Sequence, residues 1–157
     1  MLTILRSISF GAIAITLMAS APAKPSFALL LTGGSASAKV RAYADAAIIK
    51  ELRARSFVGD ASSDPAGDLT VLGPAICAAT GVDMLFGGKL TVDVQSDREV
   101  FQWATANIDF AGYDCNAGRS LGVSSSSGAS FHWNWAVDQA VAAALKRTLA
   151  VRVPERS

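Results

Sequence analysis

A strand, a long amphipathic helix and a second strand follow one another early in the sequence, and this order constrains the fold more than any other feature. Residues 27–31, FALLL, are apolar throughout, as expected for a strand covered on both faces. Apolar residues then recur at every fourth position and predict the buried stripe of a helix: Val40, Ala44, Ile48 and Leu52. Residues 56–61, SFVGDA, follow as a short second strand. A strand–helix–strand unit of this kind predicts two parallel strands in an α/β fold.

The rest of the chain adds one short helix, three strands and a last helix. Pro74 suits the first turn of a helix over residues 74–80, and Gly81 suits its carboxyl end. The next three segments have short connections and predict an antiparallel meander: residues 81–95, 100–110 and 119–124. Residues 124–130, SSSSGAS, are expected to be a flexible link into the last helix, whose stripe is Trp133, Val137, Val141, Leu145 and Leu149. The prediction is one α/β domain over residues 24–157, in the order β-α-β-α-β-β-β-α, with a mixed sheet.

Two glycines, Gly87 and Gly88, interrupt the third predicted strand. Apolar and polar residues alternate through both positions without a shift, so an inserted residue, and hence a β-bulge, is not expected. Gly88 falls on the apolar face, where the lack of a side chain would let a helix approach the sheet. We interpret both as packing glycines.

The amino terminus has the features of a secretory signal peptide. Arg6 precedes an apolar run over residues 8–18, and the small residues of APA, 21–23, follow as a cleavage site. This predicts a signal peptide over residues 1–23 and a mature chain beginning near Lys24, periplasmic or secreted. Because the apolar run is shorter than a membrane-spanning helix and no cysteine lies at the cleavage site, we expect no stable membrane anchor.

Charge excludes one class of partner. The chain has 14 Lys and Arg against 13 Asp and Glu, with no basic stripe, which argues against nucleic-acid binding.

Several motifs together resemble the CsgG-like and TolB amino-terminal family of periplasmic α/β domains. Residues 78–92, with a helix ending at Gly81 and a strand through Met84, are similar to one passage of that family. The turn YDCNAGRSLG, residues 113–122, and the Ala-rich last helix are similar to two others. The lipid-attachment cysteine usual in curli-transport proteins, the long barrel-forming hairpins and a following β-propeller are missing. The resemblance therefore implies an accessory domain of envelope assembly and not a channel.

No residues form a recognisable catalytic or cofactor site. His132 is the only histidine, with Ser130 and Asp138 near it in sequence, but Asp138 lies about 240° around the helix and is poorly placed to orient an imidazole. One histidine and two cysteines are too few for a structural zinc site. The turn TGGSAS, residues 32–37, matches no phosphate-binding motif and is interpreted as a tight turn into a capped helix. We expect no catalytic residues, no metal and no cofactor.

Three aromatic residues are predicted to face solvent and to mark a partner surface: Phe101, Trp103 and Trp135. Coverage by a loop or by the amino-terminal segment is the alternative. Cys77 and Cys115 are expected at one edge of the sheet, within reach of a disulfide in an oxidising compartment. The alternative is a buried free thiol at Cys77 and an unrelated turn residue at Cys115.

These observations predict a non-enzymatic periplasmic domain that binds another envelope protein or associates with itself. The alternative is a small periplasmic hydrolase or ligand-binding protein whose site is not evident from the sequence.

Overall fold

The computed structural model describes residues 23–62, 67–96 and 102–151. The predicted signal peptide and Phe101 lie outside these ranges, apart from Ala23 at the end of the former, so both stay predictions. The elements are β1 (Ser26–Gly33), α1 (Ala38–Ala54), β2 (Val58–Ala61), α2 (Leu69–Thr80), β3 (Met84–Ser96), β4 (Gln102–Asp114), β5 (Arg119–Ser130) and α3 (Trp133–Ala150).

The five strands form one mixed sheet in the order β2-β1-β3-β4-β5. β1 lies between β2 and β3 and is parallel to both, while β4 and β5 continue the sheet as an antiparallel meander. This confirms the predicted α/β fold and its element order.

The helices cover the two faces of the sheet unequally. α1 and α3 pack side by side on one face, where they bury the main core with Phe86, Phe110 and other apolar residues of all strands except β2. α2 packs on the opposite face over a small cluster formed by Leu30, Leu69, Leu85 and Tyr113. Beyond α2 the outer face of β3, β4 and β5 stays open to solvent.

The second helix begins earlier than the sequence indicates. Its cap is Asp68, whose carboxylate accepts a hydrogen bond from the backbone N–H of Thr70 at 2.8 Å. Pro74 consequently lies inside the helix and not in its first turn. The predicted end is correct, since Gly81 caps the helix in the left-handed conformation with φ of 67°.

The serine-rich segment expected to be a flexible link is the second half of β5. Ser126, Gly128 and Ser130 are buried towards α3, whereas the residues between them are exposed. Facing them, α3 presents alanines at every fourth position: Ala136, Ala140 and Ala144. Small residues on both elements let the helix lie close to the strand, and a Cβ on Gly128 would overlap the carbonyl oxygen of Ala136. Because serine and glycine have a low propensity for strands, the sequence pattern did not predict this strand.

The two glycines of β3 lie in an unbroken register with β4, with no bulge in this pair of strands. Gly88 pairs with Phe110, and a Cβ built there would overlap the carbonyl oxygen of Asp109. The three nearest atoms to that Cβ all belong to β4, so the close neighbour is a strand and not the helix that the sequence suggested. Gly87 is buried on the face that carries α2. The bulge of this sheet lies instead between β4 and β5, at Gly112 and Tyr113.

Candidate functional site

Two aromatic side chains form an exposed pair at the start of β4. Ala104 pairs with Ser130, so Trp103 and Phe131 are the next residues along the two strands. Their rings meet edge to face with centroids 4.9 Å apart. Trp103 is 41% exposed and Phe131 57% exposed, so the pair is only partly shielded by its own contact. Strand parity predicts that the Trp103 side chain lies on the sheet face away from α3. The structure places it there, open to solvent.

A second pair begins α3. His132 occupies the position before the helix and makes no capping hydrogen bond with its side chain, while its carbonyl accepts from the N–H of Trp135 at 3.1 Å. The imidazole and the Trp135 ring are again edge to face, with centroids 4.7 Å apart, and Trp135 is 56% exposed. Phe131 and His132 are consecutive, so the two pairs adjoin. We call Trp103, Phe131, His132 and Trp135 the aromatic surface.

The structure brings Trp103 and Trp135 to the same end of the molecule and adds two residues that the sequence analysis did not assign there. Phe131 lies between the expected link, residues 124–130, and the last helix, and the sequence pattern offered His132 only as a possible catalytic residue. The signal that would have found them is the density of rings in SFHWNW, residues 130–135. Trp133, by contrast, packs inward as predicted, edge to face against Tyr43 at 5.2 Å.

The residues considered for nucleophilic catalysis do not come together. Both carboxylate oxygens of Asp138 accept from the hydroxyl of Tyr43 on α1, at 3.1 and 3.0 Å. Ser130 Oγ accepts from the backbone N–H of His132 at 3.4 Å and contacts no imidazole nitrogen among the described hydrogen bonds. Partial burial and the hydrogen bond and negative charge of Asp138 raise the pKa of Tyr43. A tyrosine held protonated in this way fastens α1 to α3 and is not activated as a base.

One carboxylate has an unusual environment. Burial raises the pKa of Asp45 on α1, and the positive charge of Arg41 offsets part of this effect. Its Oδ1 atom has no hydrogen-bond partner among the described residues. Within the same part of the chain, no three His, Cys, Asp or Glu residues are placed to hold a metal ion.

Three concave regions of the described residues are open grooves. One lies between α1 and α3 and is lined by Tyr43, Lys50, Glu51 and Asp138 around small apolar residues. A second lies beside the β4–β5 turn, and a third lies at the start of α2 next to Gly87, Gly88 and Lys89. None of them gathers the histidine with a nucleophile and a carboxylate. The TGGSAS turn is also occupied by the protein itself, because Gly34 N–H donates to the Leu90 carbonyl at 2.9 Å and Ser37 caps α1.

Cys77 and Cys115 form a disulfide, with Cα atoms 5.6 Å apart. The bond joins α2 to the turn between β4 and β5. It lies on the opposite end of the sheet from the aromatic surface, because the turn follows Asp114 while Trp103 begins the same strand.

Within the described ranges, no helix is both long enough and apolar enough to cross a membrane.

Comparison with known proteins identifies the fold. No protein-family model and no curated protein matches the sequence. The PelC dodecamer from Paraburkholderia phytofirmans is similar in structure, with a TM-score of 0.59 and 9% identity over 79% of this chain and 86% of that chain. Lipoprotein GNA1162 from Neisseria meningitidis has a TM-score of 0.53 and 13% identity, over 68% of this chain and 83% of that chain. The hypothetical protein CT253 from Chlamydia trachomatis has a TM-score of 0.52 and 10% identity, over 82% of this chain and 95% of that chain. At these identities the likeness shows the fold alone, an α/β domain that a bacterial lipoprotein shares.

Proposed function

We propose that this chain is an exported, non-enzymatic domain of the cell envelope that binds another envelope component through the aromatic surface. The observation that carries the proposal is the exposure of two adjoining aromatic pairs at one end of the molecule, where β4 and α3 begin. Trp103, Phe131 and Trp135 are each at least 41% exposed, although large aromatic rings gain most from burial.

Aromatic residues are enriched at the centres of protein interfaces, where they supply a large contact area with few rotatable bonds. Here each ring is already held by an edge-to-face neighbour, so less conformational entropy would be lost when a partner covers it. An unshielded cluster of this kind is also an aggregation hazard unless a partner uses it.

The periplasmic location rests on the predicted signal peptide, on the disulfide and on the fold shared with a bacterial lipoprotein. The resemblance to the CsgG-like and TolB amino-terminal family supports a role as an accessory domain of envelope assembly. The hydrolase alternative has no support from the described grooves, in which the candidate nucleophile, base and acid are separated.

Site-specific photo-cross-linking in the intact envelope tests the proposal. A photoreactive residue replaces Trp135 in one strain and Val71 in another; Val71 is 71% exposed on α2, on the opposite sheet face from α3. We expect a discrete adduct with one envelope component from position 135 and none of that size from position 71. Position 103 should give the same adduct as position 135. Absence of an adduct at both tryptophan positions, or equal adducts at position 71, would contradict the proposal.

A further inference from the structure

The sheet has exposed edges, and two of them are covered by side chains from the helices. At the outer edge of β2, the Arg53 guanidinium of α1 donates to the carbonyl oxygen of Gly59 at 3.3 Å and pairs with Asp60 at 2.6 Å. An unpaired strand edge invites pairing with another chain, and a charged side chain placed on it discourages this.

The outer edge of β5 is covered in the same way by α3. Arg147 donates to the carbonyl oxygen of Ser125, and the side-chain oxygen of Gln139 accepts from the N–H of Ala129 at 3.3 Å. Because the backbone N–H and C=O groups of successive residues point to opposite sides of a strand, Ser125 and Ala129 belong to the row of residues whose backbone groups face away from β4. Only Ser127 lies between them on that row.

A third edge has no such cover. β1 ends beside Leu90, whose carbonyl accepts from Gly34 N–H, while β3 continues to Ser96. Alternation along β3 therefore turns the backbone N–H and C=O groups of Val92 and Val94 to the side that β1 no longer occupies. Within residues 23–62, 67–96 and 102–151, no group bonds to them there. We call the backbone from Val92 to Ser96 the β3 edge.

We propose that the β3 edge pairs with the β3 edge of a second copy of this chain, antiparallel and around a two-fold axis at Val94. The β3 edge lies beside the aromatic surface, since Gln95 pairs with Trp103, but this inference concerns the backbone groups of the edge and does not depend on the proposed function. The contrast between the edges carries it: helix side chains bond to the outer edge of β5 at two positions and to that of β2, whereas among the described residues none bonds to the β3 edge.

The backbone pattern selects one register. Val92, Val94 and Ser96 face outward, so pairing Val94 with the partner's Val94 also brings Val92 opposite the partner's Ser96. This register forms about six inter-strand hydrogen bonds. Centring on Val92 instead would oppose Val94 to the partner's Leu90, whose carbonyl is already bonded to Gly34.

The charges and apolar contacts of the side chains also favour the register centred on Val94. Asp93 comes opposite the partner's Gln95, so no two like charges face each other directly across the axis. Centring on Asp93 would oppose two carboxylates. On the other face, Val94 is 54% exposed in the single chain and would pack against its own copy. A second copy fits better than a basic or acidic peptide, because Asp93 is the only charge on this segment.

Sedimentation equilibrium of the purified protein, with concentrations up to about 1 mM, tests the association. We expect a reversible dimer whose dissociation constant rises about tenfold or more in Val94→Lys, since two lysines would then meet at the axis. Val123→Lys is the matched control: it places the same charge at a valine of β5 that is 66% exposed, and the dimer should persist. A monomer at every concentration, or equal effects of the two substitutions, would overturn the proposal.

Disulfide cross-linking tests the register. Asp93→Cys and Gln95→Cys chains are prepared separately and then mixed, because these positions face each other with Cα atoms about 4.5–5.5 Å apart in the proposed pair. We expect covalent dimers in the mixture and few in either variant alone, where the cysteines lie diagonally about 7–8 Å apart. Equal yields in all three samples would show that the pairing is wrong. The native cysteines do not interfere, because both are in the Cys77–Cys115 bond.

Discussion

The disulfide between Cys77 and Cys115 fastens α2 to the turn between β4 and β5. The helix otherwise rests on a cluster of four buried residues, on the sheet face away from the main core: Leu30, Leu69, Leu85 and Tyr113. Covalent attachment therefore matters more for α2 than for α1 or α3, which share a large core.

Replacing both cysteines by alanine should lower the free energy of unfolding by about 2–4 kcal/mol. The bond closes a loop with a sequence separation of 38 residues, and the open loop gains conformational entropy when the chain unfolds. A urea titration of the double variant against the oxidised protein measures the loss. Thiol titration of the denatured, unreduced protein is the accompanying check: two free thiols per chain would contradict the bond.

Gly88→Val should destabilise the fold by more than about 1 kcal/mol. The new Cβ would overlap the Asp109 carbonyl in the neighbouring strand, so β3 and β4 would have to move apart within the core. Gly87→Val is the matched comparison and is expected to cost less, because it faces the smaller cluster under α2. Denaturant titrations of both variants provide the measurement, and two small, equal losses would refute this account of the strand faces.

Gly128→Ala should destabilise by about 1–3 kcal/mol. A methyl group at this position would overlap the Ala136 carbonyl and lie 2.7 Å from Gln139 Cβ, so α3 must shift away from β5. Ser127→Ala, one residue earlier on the exposed side, should change stability by less than about 0.5 kcal/mol. Thermal and urea unfolding distinguish the two; a neutral Gly128→Ala would mean that the helix and strand are not in close contact.

Asp45→Asn should stabilise the protein at neutral pH. The pKa of Asp45 is raised above its ordinary value of 3.8, so the folded state holds this proton more tightly than the unfolded state. The ionised carboxylate therefore lowers stability above the raised pKa, and this penalty disappears below pH 3.8, where both states are protonated.

Urea midpoints at pH 7 and near pH 3 test the effect, with the gain expected only at the higher pH. Glu51→Gln, at a partly exposed position of the same helix, serves as the control and should show no such gain. An equal gain at both pH values would exclude ionisation of Asp45 as its cause.

Element order, strand directions and the end of α2 at Gly81 were predictable because they follow from apolar periodicity and from backbone rules at glycine. The start of α2 was not, because Pro74 has a strong preference for a first turn and the Asp68 cap gives a weaker signal. Strand β5 was hidden for a different reason. Its inward-facing residues are small and polar and are buried only because α3 covers them, and the Ser124 hydroxyl bonds to Thr148 of that helix at 3.1 Å, a contact that strand periodicity does not reveal.

The same limit applies to the aromatic surface. Strand parity and helical spacing placed Trp103 and Trp135 outward, but their association with Phe131 and His132 depends on β5 ending beside the start of β4. That relation required the strand that was interpreted as a link.

The position of β1 in the sheet has a consequence for the order of folding. From Met84 to Ala150, each element packs against the one that follows it in the chain, so contacts there close short loops. β1 must instead enter between β2 and β3, with a parallel partner on each side, and its paired residues in β3, such as Met84 opposite Phe27, lie 57 positions further along the sequence. The carboxyl-terminal half should therefore fold first. Its strand β3 would then be the edge on which β1 pairs to complete the sheet. In pulsed hydrogen exchange, amides of β4 would gain protection before those of β1.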